Sequence, residues 1–110
     1  FTYGNMIWIL DSQMSGYAKG TISTCANAGF CTTPTVFINN QHYPTLFRVD
    51  ADGAFWYDAD TQDITMCPLS GCKPSTTTLV TNVPIVTSLR TDAKFVYWAT
   101  DTQILRVAKP

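Results

Sequence analysis

The sequence predicts an all-β fold built from repeated antiparallel sheets, and three observations predict it. The first is internal repetition, because a period of about 40–50 residues is what propellers and solenoids leave in a chain. Cys25 and Cys67, Asn40 and Asn82, Asp50-Ala51 and Asp92-Ala93, and Trp56 and Trp98 are each 42 residues apart. The second is that every unit reads as short β-type runs broken by turn residues. The third is that no stretch keeps the apolar period of an amphipathic helix for long enough to matter. A four-stranded unit of this length suits a propeller blade better than a leucine-rich or helical repeat. It also suits a blade better than a β-sandwich strand set, which has no reason to repeat one Trp, one Asp and one turn in step. The expectation is a partial β-propeller of about two and a half four-stranded blades. It is one domain over 1–110, in repeat units of about 1–31, 32–72 and 73–110.

Strands are expected near 5–10, 21–25, 34–38, 45–50, 54–58, 63–67, 76–80, 86–91, 95–99 and 103–107. In the opening unit Ile7-Trp8-Ile9-Leu10-Asp11 stands where Phe55-Trp56-Tyr57-Asp58 and Tyr97-Trp98-Ala99-Thr100-Asp101 stand later. Trp8 lies 14 residues before Ile22, whereas Trp56 lies 8 before Ile64, so the extra length over Gln13–Gly20 reads as a widened hairpin loop. In the middle unit Asp52-Gly53 is a favoured hairpin pair, and Pro68 and Gly71 punctuate a later reversal. Thr45–Asp50 aligns with Thr87–Asp92, and Asp60–Ile64 aligns with Asp101–Ile104 after a deletion.

Composition narrows the function classes. The chain of 110 residues is 45% hydrophobic and 13% aromatic, enough for a packed core and against disorder. Only 14% is charged and the net charge is -1, so no basic field exists to hold nucleic acid or an anionic membrane surface. The apolar runs, such as Met6–Leu10, are too short to span a bilayer. Four cysteines in two close pairs, with abundant Thr, Asn and Gln, suit an oxidising compartment: extracellular, cell-surface or periplasmic.

The third unit, with Leu89-Arg90-Thr91-Asp92, Tyr97-Trp98-Ala99-Thr100-Asp101 and Ile104-Leu105-Arg106-Val107, resembles the YWTD repeat of low-density-lipoprotein-receptor-type propellers. Phe55-Trp56-Tyr57-Asp58 resembles the same aromatic-Trp-x-Asp motif and keeps its spacing, while Asp101 and Asp11 stand one residue later than the motif places its acid. The resemblance implies a six-bladed ring and an acid that locks adjacent blades. The Cys-Pro-Leu-Ser-Gly-Cys turn at 67–72 is similar to secreted bacterial propeller repeats of like design.

The recurring residues read as structural. Trp8, Trp56 and Trp98 can fill the wedge between adjacent sheets. Asp50, Asp58 and Asp92 can accept backbone N–H groups left unpaired at turns and blade junctions. Cys25 with Cys31, and Cys67 with Cys72, read as local disulfides closing the turn after the third strand. Neither pair has Cys-x-x-Cys zinc spacing. His42 is the only histidine, with no nucleophile elbow near it, and the connector with Asn40, His42 and Tyr43 is a candidate ligand-facing loop. Asp50-Ala51-Asp52-Gly53 and Asp58–Asp63 invite a calcium reading, but they lack the further acid and the closing Glu of a helix-loop-helix site. No metal or other cofactor is therefore expected. All eight acids are Asp, and the absence of Glu removes a common hydrolase base.

The function expected is a secreted or cell-surface module that binds or scaffolds a protein or glycan without catalysis. The alternative is a segment of a six-bladed, calcium-dependent propeller hydrolase or lyase. Because an open propeller exposes blade faces and strand edges, the partners expected are further blades. These would come from a longer polypeptide of roughly 250 residues or from self-association.

Overall fold

A computed structural model of the chain describes residues 2–4, 6–11, 20–26, 31, 33–72 and 76–110. Among the described residues all regular structure is β, in three antiparallel sheets and no helix. The first sheet runs β1 (Thr2–Tyr3), β2 (Met6–Asp11), β3 (Gly20–Ala26) and β4 (Thr35–Gln41). The second runs β5 (Pro44–Asp50), β6 (Gly53–Asp58), β7 (Asp63–Cys67) and β8 (Thr77–Val80). The third runs β9 (Ser88–Thr91), β10 (Phe95–Ala99) and β11 (Ile104–Ala108). Each sheet is a meander whose sequence neighbours are its hydrogen-bonded neighbours. The strand count departs from expectation: the two-residue β1 completes a four-stranded first sheet, giving eleven strands among the described residues where ten runs were read. The expected widened loop falls mostly at 12–19, outside the described residues.

Turn chemistry explains the reversals. Between β5 and β6, Asp50 Oδ1 accepts the Asp52 N–H at 2.8 Å. Gly53 follows at φ +153°, where a Cβ would lie 2.6 Å from the Cys67 carbonyl oxygen, so only glycine fits. Between β9 and β10, Asp92 Oδ1 does the same work for the Lys94 and Phe95 N–H groups, both at 2.8 Å. The recurring asparagines mark the ends of the outer strands: Asn40 (φ 59°) and Asn82 (φ 57°) both adopt the left-handed region that Asn tolerates. The register irregularity in β3 between Ile22 and Ser23 recurs in β7 between Ile64 and Thr65. The repeat therefore extends to a bulge.

The sheets meet in two seams. Trp8, Ile22 and Ile38 of the first sheet pack on Phe47, Val49, Ala54, Trp56 and Cys67 of the second. Phe55, Tyr57, Ile64 and Met66, on the other face of the second sheet, pack on Leu89, Val96 and Trp98 of the third. With both faces covered, every residue of β6 is buried, and the strand reads as a continuous apolar run rather than an alternation.

One residue alignment is corrected by register. Ile7 pairs with Cys25 as Ala54 pairs with Cys67, so Trp8 stands at the position of Phe55, and Ile9 at that of Trp56. A shift of one residue reverses the face of a strand. Trp8 consequently faces the following sheet, where its ring meets Phe47 of β5 at 5.5 Å, and Phe37 of its own sheet meets it edge-on at 4.8 Å. Trp56 and Trp98 face the preceding sheet.

Candidate functional site

The antiparallel meanders divide the molecule into two ends. The connectors Gln41–Pro44 and Thr81–Thr87 and the β6–β7 and β10–β11 turns lie at one end. The β5–β6 and β9–β10 turns, both disulfides and Lys109 lie at the other.

At the connector end the organising group is Asp58, the last residue of β6. Asp58 is 3% exposed, and its carboxylate accepts N–H groups from His42 (3.0 Å), Tyr43 (3.1 Å), Asp60 (3.0 Å) and Thr61 (3.2 Å). A buried carboxylate is tolerated only when its lone pairs are taken up in this way. One side chain thus shapes its own hairpin and grips the connector arriving from the first sheet. Tyr43 returns the contact by accepting the Ala59 N–H at 3.0 Å. The connector also lies on Gly20, where a Cβ would come within 2.9 Å of both the Gln41 carbonyl oxygen and Pro44 Cδ. On this fixed backbone Asn40 is exposed, and His42 and Tyr43 are half-buried.

The next connector is held differently. Thr100 occupies the position of Asp58 relative to Trp98, and its Oγ1 accepts the Thr102 and Gln103 N–H groups at 3.4 and 3.1 Å. Asp101 is exposed. Val83 is secured instead by its N–H to the Gln62 carbonyl (2.9 Å) and by the Tyr57 hydroxyl, which donates to the Val83 carbonyl. Burial, then the charges of Asp58 and Asp63, raise the Tyr57 pKa above the ordinary value.

At the opposite end Lys109 joins the second and third sheets. Its side chain is 7% exposed, and its ammonium donates to Asp50 Oδ2 at 2.7 Å and Asp52 Oδ2 at 2.9 Å while lying 5.2 Å from the centre of the Phe55 ring. Burial works against its charge, but the two carboxylates outweigh burial and raise its pKa. Burial likewise pushes the Asp50 carboxyl up, and hydrogen bonds from Lys109, Thr91 and the Asp52 N–H outweigh it and leave the pKa lowered. Asp92 is held down to about 2 by the Tyr97 hydroxyl at 2.6 Å and by the Lys94 and Phe95 N–H groups. A groove of about 510 Å³ lies beside this cluster, lined by Asp52, Met66, Lys94 and Lys109 among others. A second groove of about 400 Å³ opens on the first seam between Thr35, Val36 and Leu69.

Disulfides join Cys25 to Cys31 and Cys67 to Cys72, with Cα–Cα distances of 5.9 and 5.3 Å. Among the described residues no group of three or more His, Cys, Asp or Glu side chains is placed to hold a metal. In the first aspartate run, the Asp50 and Asp52 carboxylates are occupied by the Lys109 ammonium. The structure brings Asp58 to His42 and Tyr43. It leaves Asp50 and Asp92 at the far end, and the three tryptophans inside the seams.

Sequence reasoning missed Lys109, because its partners lie 59 and 57 residues away and no motif marks the pairing. It aligned Thr45 with Thr87, 42 residues apart, but gave neither a role. Each hydroxyl donates to a main-chain carbonyl on the neighbouring strand, Tyr57 at 3.1 Å and Ala99 at 3.2 Å. No protein-family model matches the chain, and no curated sequence matches it.

Proposed function

We propose that the chain forms three adjacent blades of a secreted, YWTD-like, six-bladed β-propeller and serves as a binding or scaffolding module for a protein or glycan. The observation that carries this reading is the middle sheet, covered on both faces by its neighbours with equivalent residues one 42-residue repeat apart. The acids support a non-catalytic role: Asp58 grips a connector, Asp50 and Asp52 take the Lys109 ammonium, and Asp92 shapes a turn and receives Tyr97. Two disulfides suit an extracellular or periplasmic site of action. The ligand face is the connector end, where Asn40, His42 and Tyr43 stand on a backbone already fixed by Asp58, so little ordering entropy is lost on binding.

The test is an array of glycans and extracellular proteins probed with the chain and with a His42→Ala, Tyr43→Ala variant. The expected result is a retained hit whose affinity falls about tenfold or more in the variant, with unchanged thermal unfolding. Hits that ignore the variant would move the ligand to another face. Calcium-dependent turnover of an ester or lactone would replace this reading with the hydrolase or lyase one.

A further inference from the structure

Arg48 and Arg90 stand one 42-residue step apart on β5 and β9, the strands by which the second and third sheets approach each other. Register makes them equivalent, since Arg48 opposes Phe55 as Arg90 opposes Tyr97. The residue before each is anchored in a seam, Phe47 in the first and Leu89 in the second, so both arginines rise from fixed backbone. The two side chains also share a conformation. In each, Nη1 donates to the carbonyl of the preceding residue, Arg48 to Phe47 at 2.7 Å and Arg90 to Leu89 at 2.8 Å. Each guanidinium is thereby tied to its own strand through one of its five N–H groups.

Two like charges are thus held near each other. Burial, then the charge of Arg90, lowers the Arg48 pKa below its ordinary value, and no acid outweighs these causes. The acids nearest along each strand, two residues on, have other partners. Asp50 takes the Lys109 ammonium and the Asp52 N–H, and Asp92 takes the Tyr97 hydroxyl with the Lys94 and Phe95 N–H groups. Arg48 is half-buried and Arg90 exposed, so a dissolved ligand reaches both.

We propose that Arg48 and Arg90 together form a binding site for a phosphate monoester group. A bidentate contact to each guanidinium fork calls for more oxygens than the two of a carboxylate, and two cations match two negative charges. A phosphate monoester supplies three acceptor oxygens and a charge of about -1.5 to -2 at neutral pH. The site uses no residue of the connector face and does not rest on the reading above.

The test is a titration of the isotope-labelled chain with inorganic phosphate at neutral pH and constant ionic strength, followed by the arginine Nε–H resonances. Arg48 and Arg90 are expected to shift along one saturation curve, while Arg106, held over the Phe95 ring at 4.1 Å, stays in place. Arg90→Gln is expected to weaken phosphate binding at Arg48 about tenfold or more, and Arg90→Lys by less, because the charge remains when the fork is lost. Acetate is expected to bind the unaltered chain about tenfold or more weakly than phosphate. Glucose 6-phosphate and O-phosphoserine then separate a sugar from an amino-acid carrier, the tighter one naming it. Without phosphate, Arg90→Gln is expected to leave the urea midpoint unchanged or to raise it, because it removes a repulsion. Separate saturation at the two arginines, unchanged Arg48 binding in Arg90→Gln, acetate as tight as phosphate, or a lowered midpoint without phosphate would each overturn the proposal.

Discussion

Asp58 shows how much one side chain can decide. Its two oxygens satisfy amide groups of its own turn and of the connector sixteen and fifteen residues earlier. Replacing Asp58 with Ala would strand the His42 and Tyr43 N–H groups in a partly buried place, a cost of about 1–3 kcal/mol for each unsatisfied group. Asp58→Ala is therefore expected to lower stability by about 2–4 kcal/mol in urea unfolding. The Asp101→Ala change, at an exposed residue, is expected to stay within about 0.5 kcal/mol. A pH series tests the other end. Asp50 and Asp92 have pKa values below the ordinary 3.8, so their stabilisation is present above that value and is lost as pH falls through their folded-state pKa values, about 2 in the case of Asp92. Lys109 has its pKa raised above 10.5, so its contribution is present below that value and is lost as pH rises through the folded-state pKa. Thermal unfolding followed from pH 2 to 11 is expected to show a plateau between these limbs. Asp92→Asn should flatten the acid limb and Lys109→Met the alkaline one, where the raised Tyr57 and Tyr97 pKa values leave a residual slope.

At the scale of the element, most turns were legible because their chemistry is local. Asp52-Gly53 announces its hairpin, and each cysteine pair closes within five or six residues of sequence separation. A loop this short removes about 2 kcal/mol of unfolded-state entropy. Cys67→Ser with Cys72→Ser is accordingly expected to cost about 2 kcal/mol in urea unfolding, with increased amide exchange confined to the end of β7 and the turn after it. β1 was not legible, since two residues carry no periodicity and its partner β2 defines it. The alignment of Trp8 failed for a related reason. Residue identity matched Trp8 to Trp56, but cross-strand pairing, which sequence does not print, put it one residue away and on the opposite face.

For the whole molecule, the second sheet is the element on which both seams depend. Trp56 is fully buried, with the Phe47 ring 6.3 Å away, and its loss would open a cavity that the flanking sheets cannot close. Trp56→Ala is expected to cost about 3–5 kcal/mol, and the change at exposed Ile9, its register equivalent in the first sheet, within about 1 kcal/mol. Urea unfolding with tryptophan fluorescence checks both.

The sequence by itself determined the all-β class, the 42-residue step, the turns and the local cysteine pairs, because each rests on residues close together in the chain. Only the tertiary structure decided which face each tryptophan uses, which carboxylate holds the connector and where Lys109 binds. Those outcomes depend on register and on contacts between sheets, and a residue acquires them only when strands far apart in the chain are brought side by side.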